Sequence, residues 1–185
     1  MAIWQMNCSV DYLALAYADE AARTVRHYVN GKSLKWQPVG VKYDTDLYDD
    51  TDERHERVPD FPRMSGSITC NEAAKSTLDQ AVHEYVEFLP LTSTTIKDEQ
   101  YYFFYPKVIL DCLDNEQSDF VRSRTGYIRG ISRHVFRPDC IGDTPIFRLP
   151  VAGSLWGWPF VNDRLKRLIE DNNLTGLEFR KVWEG

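Results

Sequence analysis

Histidine, cysteine and paired aspartate side chains are the residues of this chain whose types could support catalysis. The four histidines are His27, His55, His83 and His134. No two of them have the spacing that places two metal ligands on one helix face, and none stands near a cysteine. We therefore expect surface or core histidines, and we predict no metal and no other cofactor.

Cys70 is the cysteine best placed to act as a nucleophile. It directly precedes Asn71, a predicted helix N-cap, and reactive thiols are found at helix N-termini. Any of the histidines could serve as its base. The competing interpretation is an inert thiol, because free cysteine is among the most buried residue types.

Asp111 and Asp114 form the second possible catalytic set. Two carboxylates can serve as the acid and base of a glycosidase. Their position after a predicted strand equally suits a turn in which the carboxylates accept backbone N–H groups. A small hydrolase that uses Cys70 or this pair is the enzymatic alternative for this chain.

Acidic residues crowd into positions 44–56, which we call the acidic segment, within a predicted loop over residues 42–66. The segment lacks the ligand order of an EF-hand. It is either a solvated loop or a docking surface for a basic protein, and its tyrosines favour the second interpretation slightly because aromatic rings anchor interfaces. The candidate partner-binding residues here are Asp44, Asp46, Tyr48, Asp49, Asp50, Asp52 and Glu53.

Trp156 and Trp158 give two further candidate partner-binding residues. They alternate on a short extended stretch, and burial against a sheet is one interpretation of them. The other is an exposed aromatic ridge, which would form an interface hot spot. An oligomeric scaffold that buries both rings against a second copy is a third functional possibility.

The composition favours a basic protein partner. The chain has 185 residues and a formal net charge of −6, which disfavours nucleic acid and anionic membrane as partners. Its N-terminus has neither the charged region nor the apolar region of a signal peptide, so we expect a cytoplasmic protein with reduced thiols. The oligomeric state is left open between monomer and homodimer.

Hydrophobic periodicity and turn residues predict an α+β fold in one domain over residues 1–185, with a mostly antiparallel or mixed sheet and about three helices. The predicted strands cover residues 3–10, 34–41, 101–110, 126–136 and 145–149. The predicted helices cover residues 12–29 and 71–89, with a third that begins after Asn162.

The last helix and strand have the clearest local pattern. Asn162 can cap the helix, while Asn173 and Gly176 tolerate the positive φ that ends it. Leu177, Phe179 and Trp183 are then expected on one side of an extended segment. These residues predict scaffold rather than chemistry.

Short motifs in the second half resemble those of the Imm11 immunity proteins of bacterial polymorphic toxin systems. The resemblance covers residues 59–183, and its specificity lies in the order and spacing of the motifs. They are PDF at 59–61, the helix over 71–85, EFLPL at 87–91, YYFF at 101–104, LDNEQS at 113–118, PIFRL at 145–149, FVND at 160–163 and LTGLEF at 174–179. The family often has Ser-Asp where this chain has Asn162-Asp163, and Asn caps a helix as well as Ser does.

The resemblance implies a cytoplasmic antitoxin, not an enzyme, that binds a cognate toxin domain and blocks it by occlusion. Such toxins are often nucleases, whose basic surface would suit an acidic inhibitor. Residues 1–58 carry little of the family pattern, so the resemblance assigns no role to the acidic segment.

Overall fold

The computed structural model describes residues 1–18, 36, 38–45, 57–64, 66–93, 96, 99–150 and 158–185. The fold is α+β, as predicted. Its strands and helices in chain order are β1 (Ala2–Cys8), β2 (Leu15–Tyr17), β3 (Val39–Tyr43), β4 (Arg63–Met64), β5 (Ser67–Asn71), α1 (Glu72–Val82), β6 (Val86–Thr92), β7 (Tyr101–Pro106), β8 (Asp119–Arg122), β9 (Ile128–Arg133), α2 (Pro138–Ile141), β10 (Ile146–Phe147), β11 (Phe160–Asn162), α3 (Asp163–Asp171) and β12 (Leu177–Glu184).

A four-stranded antiparallel sheet joins the two ends of the chain. Its strand order is β10-β11-β1-β12, so the first strand lies between two of the last three. Successive residues of a strand point to opposite faces. Met6 accordingly packs in a cluster with α1 and α3, the helix-side cluster, whereas Ile3 packs on the other face with Phe136 and Phe147, the far-side cluster.

Strands β2-β3-β6-β7-β5-β4 close into a small barrel with its own core, the barrel cluster. The barrel mixes parallel pairs, such as β3 with β6, with antiparallel pairs, such as β6 with β7. It takes strands from both sides of the acidic segment. Residues 42–43 and 63–64 belong to β3 and β4, so the ends of the predicted loop contain strand residues.

Side-chain caps start both longer helices where the sequence predicts them. Asn71 Oδ1 accepts the N–H of Ala74 at 2.8 Å, and Asn162 Oδ1 accepts the N–H of Leu165 at 2.9 Å. Each cap satisfies one of the free donors in the first turn. Neither α2 nor the two longer helices is both long and apolar enough to cross a membrane, within the ranges described above.

Two helix predictions need correction. The predicted helix over 12–29 is wrong over Leu15–Tyr17, which form β2; residues 19–29 lie outside the described residues. The predicted helix over 71–89 ends at Val82, because Val86–Thr92 pairs with β7 as a strand.

Several strands are shorter than predicted or have different ends. The strand predicted over 34–41 is present at Val39–Val41 and continues to Tyr43, whereas residues 36 and 38 are not strand and residues 34, 35 and 37 lie outside the described residues. β7 stops at Pro106 rather than at residue 110. β9 and β10 cover only the middle of the ranges predicted for them.

The expected common side of Leu177, Phe179 and Trp183 is also wrong. A register shift in the pairing of β1 with β12 lies between Ile3 and Trp4, and it inserts Val182 as an extra residue. Such a bulge reverses the side on which later residues fall. Leu177 and Phe179 therefore pack on the helix-side cluster and Trp183 on the far-side cluster.

Candidate functional site

Most of the predicted partner-binding residues fall outside the described residues. These are Asp46, Tyr48, Asp49, Asp50, Asp52, Glu53 and Trp156. The structure places the two others, Asp44 and Trp158, and the residues that flank the acidic segment.

Both ends of the acidic segment are held at one place on the barrel. The N–H of Asp44 donates to the carbonyl of Ala14 at 2.8 Å, and the N–H of Leu13 donates to the carbonyl of Arg57 at 3.0 Å. Since Leu13 and Ala14 are consecutive, the chain leaves the barrel and returns to it at neighbouring points. The base from which the acidic segment departs is therefore fixed by backbone hydrogen bonds.

A further carboxylate, that of Glu99, is fixed at this end of the barrel. The Tyr43 hydroxyl donates to Glu99 Oε2 at 3.1 Å, and the Tyr101 hydroxyl donates to the same oxygen. Burial raises the pKa of Tyr43 and of Tyr101, which keeps both phenols protonated as donors. Glu99 is itself exposed and lies next to the strand that leads into the acidic segment. Sequence reasoning missed Glu99, because only the barrel pairing brings it there.

Trp158 is half-buried and packs against the helix-side cluster. The following residue, Pro159, accepts the N–H of Met6 at 2.9 Å and so holds this stretch to β1. Part of this ring is therefore buried against the sheet. Asp44 follows Tyr43, which packs on the barrel cluster, so the two described candidates belong to stretches of chain that pack on different parts of the core.

Cys70 lacks the properties of a catalytic nucleophile. Its side chain is 0% exposed, and burial raises the pKa of its thiol well above the usual range. A thiol that stays protonated is a poor nucleophile. The place of Cys70 just before the helix does not lower this pKa enough. The side chain that accepts an N–H group of the first turn there is that of Asn71.

Asp114 is a turn residue whose carboxylate is already engaged. Its Oδ1 accepts the N–H groups of Gln117 and Glu116, each at 3.0 Å, and the bond from Gln117, followed by that from Glu116, lowers the pKa of the carboxyl. A glycosidase acid needs the opposite shift, a raised pKa. Asp111 is exposed, and its carboxylate lies 3.9 Å from the Arg137 guanidinium. The geometry fits the turn interpretation of this pair.

His134 is a core histidine. It is 7% exposed and stacks on Phe136, with the ring centroids 5.8 Å apart. Burial, with a smaller effect of Arg180, lowers the pKa of its imidazole to about 4, so the ring is neutral near pH 7. Over the described ranges, no group of three or more histidine, cysteine or acidic side chains is arranged to hold a metal ion.

An open groove of about 890 Å³ runs between α1 and α3. Its charges are mixed, with Asp143 and Asp171 opposite Arg164 and Arg167 in sign. The carboxylate of Asp163, which also borders the groove, is used internally. Its two oxygens accept the Ala2 N–H and the Trp4 indole N–H, each at 2.9 Å. Of the three carboxylates that line the groove, that of Asp163 therefore serves to hold β1.

The hairpin of β8 and β9, residues 119–133, carries a cationic surface that the sequence reasoning did not single out. We call it the arginine hairpin. Five arginines and one aspartate occur between residues 119 and 137 of a chain whose net charge is −6. Arg122, Arg124, Arg129 and Arg133 are all exposed, and Tyr127 at the tip is 75% exposed. The sequence signal for this surface was the local run of arginines. The net charge of the whole chain conceals that run, because acidic residues elsewhere outnumber the basic ones.

No curated protein matches this chain. The profile of the immunity protein family Imm11 matches residues 17–184, which include the barrel except for the first two residues of β2, both longer helices and the arginine hairpin. Since the match extends over far more than half of its length, the chain belongs to the Imm11 immunity protein family.

Proposed function

We propose that this protein binds a cognate secreted toxin domain and neutralises it by stoichiometric occlusion. The observation that supports the proposal is the family match over residues 17–184, since immunity proteins act by binding the toxin of their own system. The role is that of an inhibitor and not of an enzyme. It is exerted in the cytoplasm, by a monomer or a homodimer, without nucleic acid or membrane as a partner.

The acidic segment is the proposed primary contact, and a nuclease domain is the proposed toxin. Nucleases hold phosphate with basic surfaces, and carboxylates are the electrostatic complement of such a surface. Backbone hydrogen bonds of Asp44 and Arg57 fix the two ends of the segment, and Glu99 adds a carboxylate anchored on Tyr43, the residue before it. Trp156 and Trp158 are proposed as aromatic contacts of the same protein.

An exposed apolar side chain close to the segment in sequence suits an interface as well. Val58, two residues after the segment, is 42% exposed. Apolar area bordered by charge is typical of protein contacts, in which the centre excludes water and the charges speed the encounter.

Co-expression with the toxin domain encoded by the neighbouring reading frame tests the inhibitor role. We expect growth to be rescued and a 1:1 complex to be found by light scattering. Absence of both rescue and complex would refute the proposal.

A charge-reversal variant tests the acidic segment. Asp49→Lys/Asp50→Lys/Asp52→Lys should slow association about 10-fold at low salt and reduce its salt dependence, because steering by opposite charges is lost. The matched control is Asp139→Lys/Asp143→Lys/Asp171→Lys, which makes the same change of net charge at exposed positions elsewhere. Equal association rates for the two variants would place the interface outside the acidic segment.

A further inference from the structure

The base of the arginine hairpin is fixed to the protein core. Phe120 and Ile131 face each other across the two strands and pack on the far-side cluster. The Ser132 hydroxyl donates to the Asp119 carbonyl at 3.1 Å, which ties the strands together at their base. The opposite face, which carries Val121, is exposed. One face of the hairpin is therefore part of the core and the other is available to a partner.

The tip of the hairpin is held by its own hydrogen bonds. The Ser123 N–H donates to the Tyr127 carbonyl at 2.7 Å, and the Tyr127 N–H donates back to the Ser123 hydroxyl at 3.1 Å. Gly126 has a φ of 86°, which a glycine adopts at little cost and which lets the turn close. Arg124 and Tyr127 are thus displayed on a defined loop, which reduces the ordering cost of binding.

The arginines of the hairpin form no ion pair with the carboxylates that the structure describes, although Asp119, the one acid of the hairpin, lies opposite Arg133 across the strands. The ion pairs found among the described residues involve Lys75, Arg137, Lys166 and Lys181, and none involves the exposed arginines of the hairpin. Arg122 reaches only the Gly126 carbonyl, at 3.2 Å, and lies over the Phe120 ring. Exposed charges can protect strand edges from pairing, but either sign would do so. Four arginines against one aspartate, with a prominent tyrosine at the tip, fit recognition of an anion better.

We propose that the arginine hairpin is a second toxin-binding surface, which docks an acidic patch of the toxin around Tyr127. This inference rests on the proposed inhibitor function. Arginine pairs with carboxylates through two parallel hydrogen bonds, and Tyr and Arg are the residue types that dominate interface hot spots. A protein fits better than nucleic acid, because a net charge of −6 opposes a long phosphate backbone beyond the few side chains in contact.

The test measures binding of the purified toxin domain by wild type and by variants of the tip. Tyr127→Ala should weaken affinity about 10- to 100-fold, and Arg124→Glu/Arg129→Glu should do at least as much, because repulsion is added. The charge-matched control, Arg164→Glu/Arg167→Glu on α3, should bind within about 3-fold of wild type. All these side chains are exposed, and equal unfolding temperatures will show that the tip variants fold.

The outcomes separate this inference from the function on which it rests. If wild type fails to bind the toxin, the proposed function falls. If wild type binds the toxin and both tip variants bind it as tightly as wild type does, only the hairpin assignment is overturned. Equal losses in the tip and control double variants would overturn it too, because net charge alone would then explain them.

Two further measurements examine other occupants of the hairpin. Wild type should not bind a fluorescent oligonucleotide in physiological salt. By light scattering, wild type and the tip variants should have the same mass. Oligonucleotide binding that the tip variants lose would assign the hairpin to nucleic acid. A homodimer that they dissociate would assign it to a second copy, and either result overturns the toxin as its occupant.

Discussion

Replacement of Asp163 by asparagine should weaken the attachment of the first strand to the last helix. The Asp163 carboxylate accepts the Ala2 N–H and the Trp4 indole N–H, each at 2.9 Å, and β1 is the strand that begins with Ala2. Asp163→Asn retains the shape but keeps only one acceptor. Its amide N–H group then faces one of the two donors, which loses its partner.

The expected cost follows from these two bonds. Hydrogen bonds to a charged group contribute about 1.5–3 kcal/mol each, and partial exposure at this site places the loss near the lower value, at about 2 kcal/mol. For a protein of this size, about 2 kcal/mol lowers the unfolding temperature by roughly 4–8 °C near pH 7. Differential scanning fluorimetry measures it, with Asp143→Asn, an exposed aspartate in a loop, as the control.

The pH dependence provides the refuting measurement. The Ala2 N–H, followed by the Trp4 N–H, lowers the pKa of the Asp163 carboxyl in the folded protein. Its stabilisation is therefore complete above the pKa of the unfolded chain, about 3.9, and is lost as the pH falls through the lower folded pKa. The difference between wild type and Asp163→Asn should narrow below about pH 4. A difference of under about 1 °C near pH 7, or one unchanged at low pH, would refute the reasoning.

Two further predictions concern glycine and cysteine. Gly176→Ala should destabilise the protein by about 3 kcal/mol or more, because its Cβ would lie 2.5 Å from the Phe61 carbonyl oxygen at a φ of 95°, whereas Gly126→Ala, at a φ of 86° with no atom within 4 Å, should cost only about 1 kcal/mol. Urea unfolding measures both, and equal costs would show that the close approach at Gly176 is relieved. A thiol reagent should label only Cys140 in the native protein, since Cys8, Cys70 and Cys112 are buried, and peptide mapping that finds rapid modification of Cys70 would contradict this expectation.

The sequence predicts well those features that depend on residues only a few positions apart in the chain. Asn71 and Asn162 cap their helices because a short side chain reaches the N–H three residues on. Gly176 takes a positive φ after α3, as does Asn173. Each of these depends on neighbours in the sequence and needs no partner from elsewhere in the fold.

Distant pairing decides what the sequence did not predict. Residues 86–92 continue the apolar pattern of α1, but strand β7 supplies hydrogen-bond partners that outweigh helix propensity. Pro90 is tolerated there because β3 pairs with β6 only from Leu91 onward. The alanine-rich stretch before residue 18 also favours a helix by its residue types, yet Leu15–Tyr17 pairs with β3 as a strand.

The net charge of −6 averages an acidic stretch of sequence, residues 44–56, and an exposed hairpin with four arginines, so it does not by itself indicate where a partner binds. Screening in physiological salt confines the effect of exposed charges to about 8 Å, so steering over longer distances is strongest at low salt. The acidic segment, which shares the sign of the whole chain, should chiefly steer the encounter and so affect the association rate. The arginine hairpin opposes the overall charge, so it gains little from steering. Its ordered tip should instead act after contact, by slowing dissociation. Kinetic measurements on the two sets of variants should therefore separate the surfaces, with the first changing mainly the on-rate and the second mainly the off-rate.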